Sequence, residues 1–211
     1  MTAIAPLGNG LAADKYSAGH TAALEYARAN GYEADCAFEC ATQWGDMDAN
    51  AHVNNTVPLR WCESGRGVYM AAVVSDLSPS AFDDKARADL LKGEGSGKSD
   101  VVGEVRYRYM RPIYHPDNLL VLTRAATINP KYLTLKTVVY SYAQQAPVGT
   151  AEATLFQFDH DEGRSAPWHE AIVEGLVRRG AEKRGFERRE GDGEGEREGE
   201  KEKKGKGKAK L

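Results

Sequence analysis

The chain has 211 residues, a net charge of −3 and a hydrophobic content of 41%, which is enough for an ordinary globular core. Residues 1–180 carry 17 basic and 22 acidic side chains, so the body of the protein gives no reason to expect nucleic-acid binding. No apolar run approaches the roughly 20 residues that span a bilayer, and no signal-peptide pattern begins the chain. We therefore expect a cytoplasmic protein, with a mitochondrial location as the alternative.

The first third of the chain is predicted to contain a helix and then a strand. Residues 1–34 form an N-terminal extension whose helix runs over Asp14–Asn30 and stops at Gly31. Apolar residues then alternate with others between Asp35 and Trp44, a period of two that predicts a strand. The polar stretch 44–54 is predicted to be a loop.

The cysteines Cys36, Cys40 and Cys62 match neither a disulfide framework nor a metal-binding motif. The spacing of Cys36 and Cys40 would suit a metal knuckle only with a second ligand pair, and none follows. We expect reduced thiols and no metal.

The second helix is predicted over residues 54–74, which tolerates Pro58 only in its first turn. Gly65 and Gly67 each weaken a helix by about 1 kcal/mol relative to alanine, and close packing of a sheet would explain them. An insertion follows at 76–100, with one short helix from Ser78 to Gly93 and a Gly-rich end.

Four antiparallel strands are predicted next. They cover Val101–Met110, Leu119–Ile128, Tyr132–Tyr142 and Gly149–Phe158, and their short connections favour a meander. In the first of them, Val101, Gly103, Val105, Tyr107 and Tyr109 would share one face.

A closing helix is predicted over Trp168–Arg179. Residues 181–211 are charged and Gly-rich, and we expect them to be disordered. One antiparallel sheet with one long helix is an α+β domain, predicted here over 35–180.

The densest polar cluster lies between Gln43 and Asn55, and three interpretations compete for it. A calcium loop is disfavoured because Ala51 stands where that loop needs glycine and Val57 where it needs glutamate. A loop that caps the following helix is the second interpretation. An active site is the third, because a helix start offers N–H groups to a developing oxyanion and a carboxylate can attack or activate water.

The run D-x-D-x-N-x-H-V-N-N, from Asp46 to Asn55, resembles hotdog-fold thioesterases of the 4-hydroxybenzoyl-CoA thioesterase type. It is followed by L-R-W-C-E-S, and its D-x-N-x-H element is similar to that of acyl-carrier-protein thioesterases. The later run V-x-Y-x-Y-M-R-P-I, Val105–Ile113, resembles the strand after the helix in this superfamily. The resemblance covers about 36–160 and implies an antiparallel sheet wrapped around one long helix.

The resemblance also implies roles for residues. Asp48 matches the catalytic carboxylate, as nucleophile or general base, and Asn50 and His52 match residues that orient water or substrate. Glu63 matches a helix glutamate of the family, with a plain surface residue as the alternative, and Asp46 shapes the loop. The predicted substrate-binding residues are Asn54 and Asn55, which would also cap the helix, and Tyr107 and Arg111, with Arg108 and Tyr109 as further candidates. For the tyrosines, half-buried strand residues without a role in binding are the favoured alternative.

By this resemblance the protein is a thioester hydrolase that acts on acyl-CoA or acyl carrier protein without a cofactor. Two subunits would pair across the cleft, as a homodimer or a dimer of dimers. A hotdog hydratase or dehydratase, using His52 with Glu63, and a non-catalytic binding module are the alternatives. The presence of Asp48, Asn50 and His52 together favours the hydrolase.

Overall fold

The computed structural model describes residues 11–78 and 97–186 of the chain. Within these ranges lie three α-helices, α1 (Ala13–Ala29), α2 (Val57–Ser75) and α3 (Glu170–Arg178). The strands are β1 (Phe38–Ala41), β2 (Lys98–Tyr109), β3 (Asn118–Ile128), β4 (Leu133–Ser141), β5 (Ala146–Asp159), β6 (Arg164–Ser165) and β7 (Glu182–Lys183). No helix of these residues is long and apolar enough to cross a membrane.

The predicted helices and main strands are found within a few residues of their expected bounds. Pro58 lies in the first turn of α2, where its missing N–H costs nothing. The predicted strand at 35–44 is shorter, because a 3-10 turn occupies Ala34–Cys36 and a second one begins at Trp44. The predicted short helix within the insertion lies mostly outside the described residues, and residues 98–100 of that insertion already belong to β2.

The sheet has the order β1-β3-β4-β5-β2 and its main pairings are antiparallel. The predicted meander is correct for β3, β4 and β5 but wrong for β2, which pairs with β5 at the far edge. The segment 110–117 between β2 and β3 is too long for a tight hairpin and leads the chain back across the sheet. The sheet and its helix confirm the predicted α+β hotdog fold.

A β-bulge in β2 corrects the predicted single face of that strand. The register shifts between Val102 and Glu104, so the period of two from Val101 to Tyr109 is interrupted. Beyond the bulge, Tyr107 lies opposite Ala151 of β5 and faces the core that contains α2.

Helix α2 packs on one face of the sheet, and Gly65 permits the close approach. A Cβ on Gly65 would lie 2.7 Å from Cγ1 of Val121 on β3. The prediction that close packing of a sheet explains the glycine is therefore confirmed for Gly65. It is wrong for Gly67, which is exposed and where an added Cβ would have no neighbouring atom within 4 Å.

Helix α1 packs on the opposite face. Alternate residues of β3 divide between the two helices, since Leu119 and Val121 join the core under α2 while Leu120 and Leu122 join the core under α1. A Cβ on Gly19 would overlap Tyr142, including its backbone, so α1 lies directly on the end of β4. The N-terminal extension is thus an integral layer of the described structure.

Residues 181–186 correct the predicted start of the disordered tail. Ala181 is buried, and Glu182 and Lys183 form β7, which pairs in parallel with β3. A two-residue edge strand gains its stability from backbone hydrogen bonds and does not depend on alternating apolar side chains. The sequence therefore shows no apolar periodicity here. Residues 187–211, the rest of the predicted tail, lie outside the described residues.

We expect Gly65→Ala and Gly67→Ala to have opposite effects on stability. At position 65 the methyl group would force α2 away from Val121, and overpacking of this kind costs about 1–3 kcal/mol. At position 67 the methyl group meets open space, so the higher helix propensity of alanine should add about 1 kcal/mol. Urea unfolding of the two variants measures both effects, and equal shifts in the same direction would contradict the packing described for Gly65.

Candidate active site

The polar cluster forms a tight loop that presents Asp48 beside His52. The loop is closed by a bridge between Met47 and Val53 and by a hydrogen bond of 2.8 Å from the Asp48 N–H to the His52 carbonyl. Ala51 adopts the left-handed region, with φ 58°, and its N–H donates to the Asp48 carbonyl at 3.1 Å. These contacts therefore fix the backbone of Asp48 relative to that of His52.

This loop is tied to the segment after β2 and is braced by hydrogen bonds within itself. The Val53 N–H donates to the Ile113 carbonyl at 2.8 Å, and the Asn54 N–H donates to the Asp46 carbonyl at 2.8 Å. The Asp46 carboxylate accepts from the Gln43 N–H at 2.8 Å, which agrees with its predicted role in shaping the loop.

The side chain of Asn54 holds the start of α2. Its Oδ1 accepts hydrogen bonds from the N–H of Thr56 at 2.9 Å and from the Thr56 hydroxyl at 2.8 Å. The Val57 N–H donates to the Asn54 carbonyl, and Pro58 has no N–H. The N–H of Asn55 makes no hydrogen bond among the described residues.

A cavity of about 370 Å³ opens beside the loop. It lies between the start of α2, the end of β2, the segment after β2 and the beginning of β5. Its lining residues are Asp48, His52, Val53, Asn55, Pro58, Tyr107, Tyr109, Met110, Arg111, Pro112, Ile113 and Val148. Apolar and aromatic walls with one carboxylate, one imidazole and one guanidinium are typical of a small-molecule site.

The cavity brings together five of the eight predicted site residues. Asp48, His52, Asn55, Tyr107 and Arg111 line it.

Three predicted residues lie elsewhere. The backbone N–H of Asn50 donates to Oδ1 of Asp48 at 2.7 Å, while its side chain is exposed outside the lining. Asn54 is engaged with Thr56. Glu63 is exposed on α2, outside the lining.

Sequence reasoning missed the apolar wall of the cavity. Val148 belongs to β5, and no motif connects it to the polar loop. Ile113 ends the Val105–Ile113 run, but it was not predicted to line the site. Tyr114, whose ring packs edge-on against His52 at 5.7 Å between centroids, was missed as well. Only the folded chain brings these residues to the loop.

The two tyrosines of β2 form one wall and link it to the helix start. Their ring centroids are 4.6 Å apart, and the Tyr109 hydroxyl donates to the Asn55 carbonyl at 2.5 Å. Burial raises the pKa of Tyr107, so its phenol stays neutral.

Glu33, Asp35 and Cys36 are the only described residues whose ligand atoms could converge on a metal ion. The guanidinium of Arg179 already pairs with Glu33 and with Asp76. Burial raises the pKa of the Cys36 thiol to about 11, which disfavours the thiolate that a metal needs. Glu33 thus belongs to an ion-pair network with Arg179 and Asp76 that joins the end of α3 to the rest of the domain.

The sequence matches the family described as the thioesterase-like superfamily over residues 42–176. No curated protein matches it significantly.

Several solved structures share the fold. A thioesterase from Thermus thermophilus, complexed with coenzyme A and Zn, is 23% identical with a TM-score of 0.54, covering 71% of this chain and 96% of that one. A DHNA-CoA thioesterase from Staphylococcus aureus is 16% identical with a TM-score of 0.53, covering 67% and 90%. A thioesterase-superfamily protein from Jannaschia sp. CCS1 is 18% identical with a TM-score of 0.55, covering 68% and 81%.

We expect Tyr109→Phe to destabilise the protein by about 1 kcal/mol, because the variant loses the hydrogen bond to the Asn55 carbonyl. Thermal unfolding measures the change. Tyr132→Phe is the matched control, since Tyr132 is also an exposed tyrosine but lies on the β3–β4 turn. Equal melting temperatures for the two variants would mean that the Tyr109 hydroxyl does not hold the helix start.

Proposed function

Because the chain belongs to the thioesterase-like superfamily and is a thioester hydrolase, we propose that it hydrolyses acyl-CoA to the free acid and CoA. The acyl group is fatty or a related acid, and the site is the cavity beside Asp48. One observation carries the proposal: Asp48 and His52, joined by a backbone hydrogen bond, both line an apolar cavity next to the start of a helix. We also propose that the enzyme acts in the cytoplasm.

Asp48 supplies the carboxylate for the reaction. It attacks the thioester carbon, forming an anhydride that water hydrolyses, or it takes a proton from the water that attacks. Both routes release a thiolate, which is a good leaving group. A single carboxylate with an oxyanion donor can therefore suffice.

The developing oxyanion would be bound at the start of α2. The Asn55 N–H is the donor that this proposal uses, since Asn55 lines the cavity and its N–H has no partner among the described residues. His52 and Asn50 orient the water or the substrate. The Asn50 N–H also fixes Oδ1 of Asp48, so one carboxylate oxygen is held while the other is left for chemistry.

Arg111 is suited to bind the carrier. It is the one Lys or Arg in the cavity lining, and it is exposed, so its guanidinium can meet a CoA phosphate at the mouth. The Thermus relative binds coenzyme A, which supports CoA as the carrier. Acyl carrier protein is the alternative carrier.

A second copy of the chain completes the site in this proposal. Strand β2 is an edge of the sheet and pairs only with β5 among the described strands, so its twelve residues leave one backbone edge open. Pairing of two such edges would form a homodimer, which could then assemble as a dimer of dimers. Glu63, which lies outside the cavity of its own chain, would then serve the cleft of the partner.

We expect Asp48→Asn to lower kcat/KM for acyl-CoA hydrolysis by about 10² or more, because the amide neither attacks nor takes a proton. Thiol release from a panel of acyl-CoAs measures the loss, and circular dichroism checks that the variant is folded. Asp35→Asn is the matched control, since Asp35 is an exposed aspartate outside the cavity. Undiminished activity of Asp48→Asn would refute the role of Asp48. Failure of the wild type on every acyl-CoA would favour the carrier-protein substrate or a binding module.

We expect Asp48→Asn and Glu63→Gln to complement each other when their subunits are mixed. If Asp48 of one subunit and Glu63 of the other form one site, half of the dimers are mixed and contain one intact site. Activity should then recover to about a quarter of the wild-type value. The measurement uses subunits exchanged by unfolding and refolding together, with light scattering to confirm dimers. Mixtures no more active than the separate variants would place Glu63 outside the shared site.

A further inference from the structure

Tyr107 closes the inner end of the cavity. Its ring lines the wall, while its hydroxyl oxygen is buried and makes no hydrogen bond among the described residues. The hydroxyl lies over Gly149 of β5, so closely that a Cβ at position 149 would overlap it. The absence of a side chain at Gly149 is thus what allows the Tyr107 ring to point inward.

The space behind Tyr107 is already filled. Its ring packs with the core under α2, which includes Cys62, Val139 and Ala151. The cavity of about 370 Å³ therefore does not continue along α2 past this ring. Ligand pockets span roughly 300–1,000 Å³, so the part of the site that one chain contributes is near the lower end.

A buried hydroxyl without a partner is unfavourable, because it has lost its hydrogen bonds to water. The contribution of Tyr107 to this site is therefore the volume of its ring, rather than a polar contact.

From these contacts we propose that Tyr107 determines substrate specificity by ending the acyl pocket, so that the enzyme selects compact acyl groups. A short aliphatic chain or a single aromatic ring fits between the Tyr107–Tyr109 wall and Pro58, whereas a long chain meets the Tyr107 ring. This inference rests on the proposed thioesterase function of the same cavity.

The test compares kcat/KM for butanoyl-, hexanoyl-, benzoyl-, dodecanoyl- and hexadecanoyl-CoA in the wild type and two variants. We expect the wild type to prefer the best compact substrate over dodecanoyl-CoA by about tenfold or more. Tyr107→Ala should shrink that ratio by about tenfold, because removal of the ring extends the pocket toward Gly149 and Cys62. Tyr107→Phe retains the ring, so it should keep the wild-type preference and melt at the same or a higher temperature.

Three further variants serve as controls for this comparison. Tyr132→Ala removes an exposed tyrosine outside the cavity and should leave the chain-length preference unchanged. Gly149→Ala should displace Tyr107 into the cavity and weaken hydrolysis of every substrate, and Tyr107→Ala in the same chain should restore room for the new methyl group.

The outcomes separate this inference from the proposed function. A wild type that hydrolyses dodecanoyl- or hexadecanoyl-CoA best, or a Tyr107→Ala variant with an unchanged preference, would overturn the role of Tyr107 and leave the thioesterase proposal intact. Absence of hydrolysis with every substrate in the folded wild type would overturn both.

Discussion

The close packing of α2 against β3 is the constraint on which the candidate site depends. Gly65 lets the helix lie directly on Val121, and this contact sets how far the start of α2 stands from the sheet. The cavity occupies the space between that start and the ends of β2 and β5. The loop with Asp48 and His52 enters α2 at the same point and is tied to the segment after β2 through Ile113. A shift of the helix would therefore move the carboxylate and the cavity wall together.

The site separates its polar from its apolar groups. Asp48, His52 and Arg111 belong to segments near the helix start or just beyond β2, where the backbone is irregular and side chains can reach a ligand. The opposite wall is made by regular strands, with Tyr107 on β2 and Val148 on β5. Rigid strands are suited to setting the depth of a pocket, and loops to presenting reactive groups. The polar groups and the depth of the cavity can thus be altered by different substitutions.

The sheet is covered on both faces, and buried polar groups fix its corner. Asp117, before β3, accepts hydrogen bonds from the Ser141 hydroxyl at 2.5 Å and from the Ala143 N–H at 2.9 Å, and burial raises its pKa. The neighbouring Asn118 accepts from the Leu11 N–H at 2.9 Å, which joins the chain before α1 to the same corner. These bonds explain why the N-terminal helix behaves as a layer of the domain.

The sequence by itself determined the local features of this protein. Periodicity located α1, α2 and the long strands, and the Asp48–Asn50–His52 run located the polar loop of the candidate site, because the signal for each lies within a few consecutive residues. Tertiary structure alone decided that β2 crosses to the far edge beside β5, that Glu63 lies away from its own cavity, and that Tyr107 ends the pocket over Gly149. The physical reason is that these features depend on contacts between residues far apart in the chain. Their geometry is set by packing and strand register, which no short sequence pattern encodes.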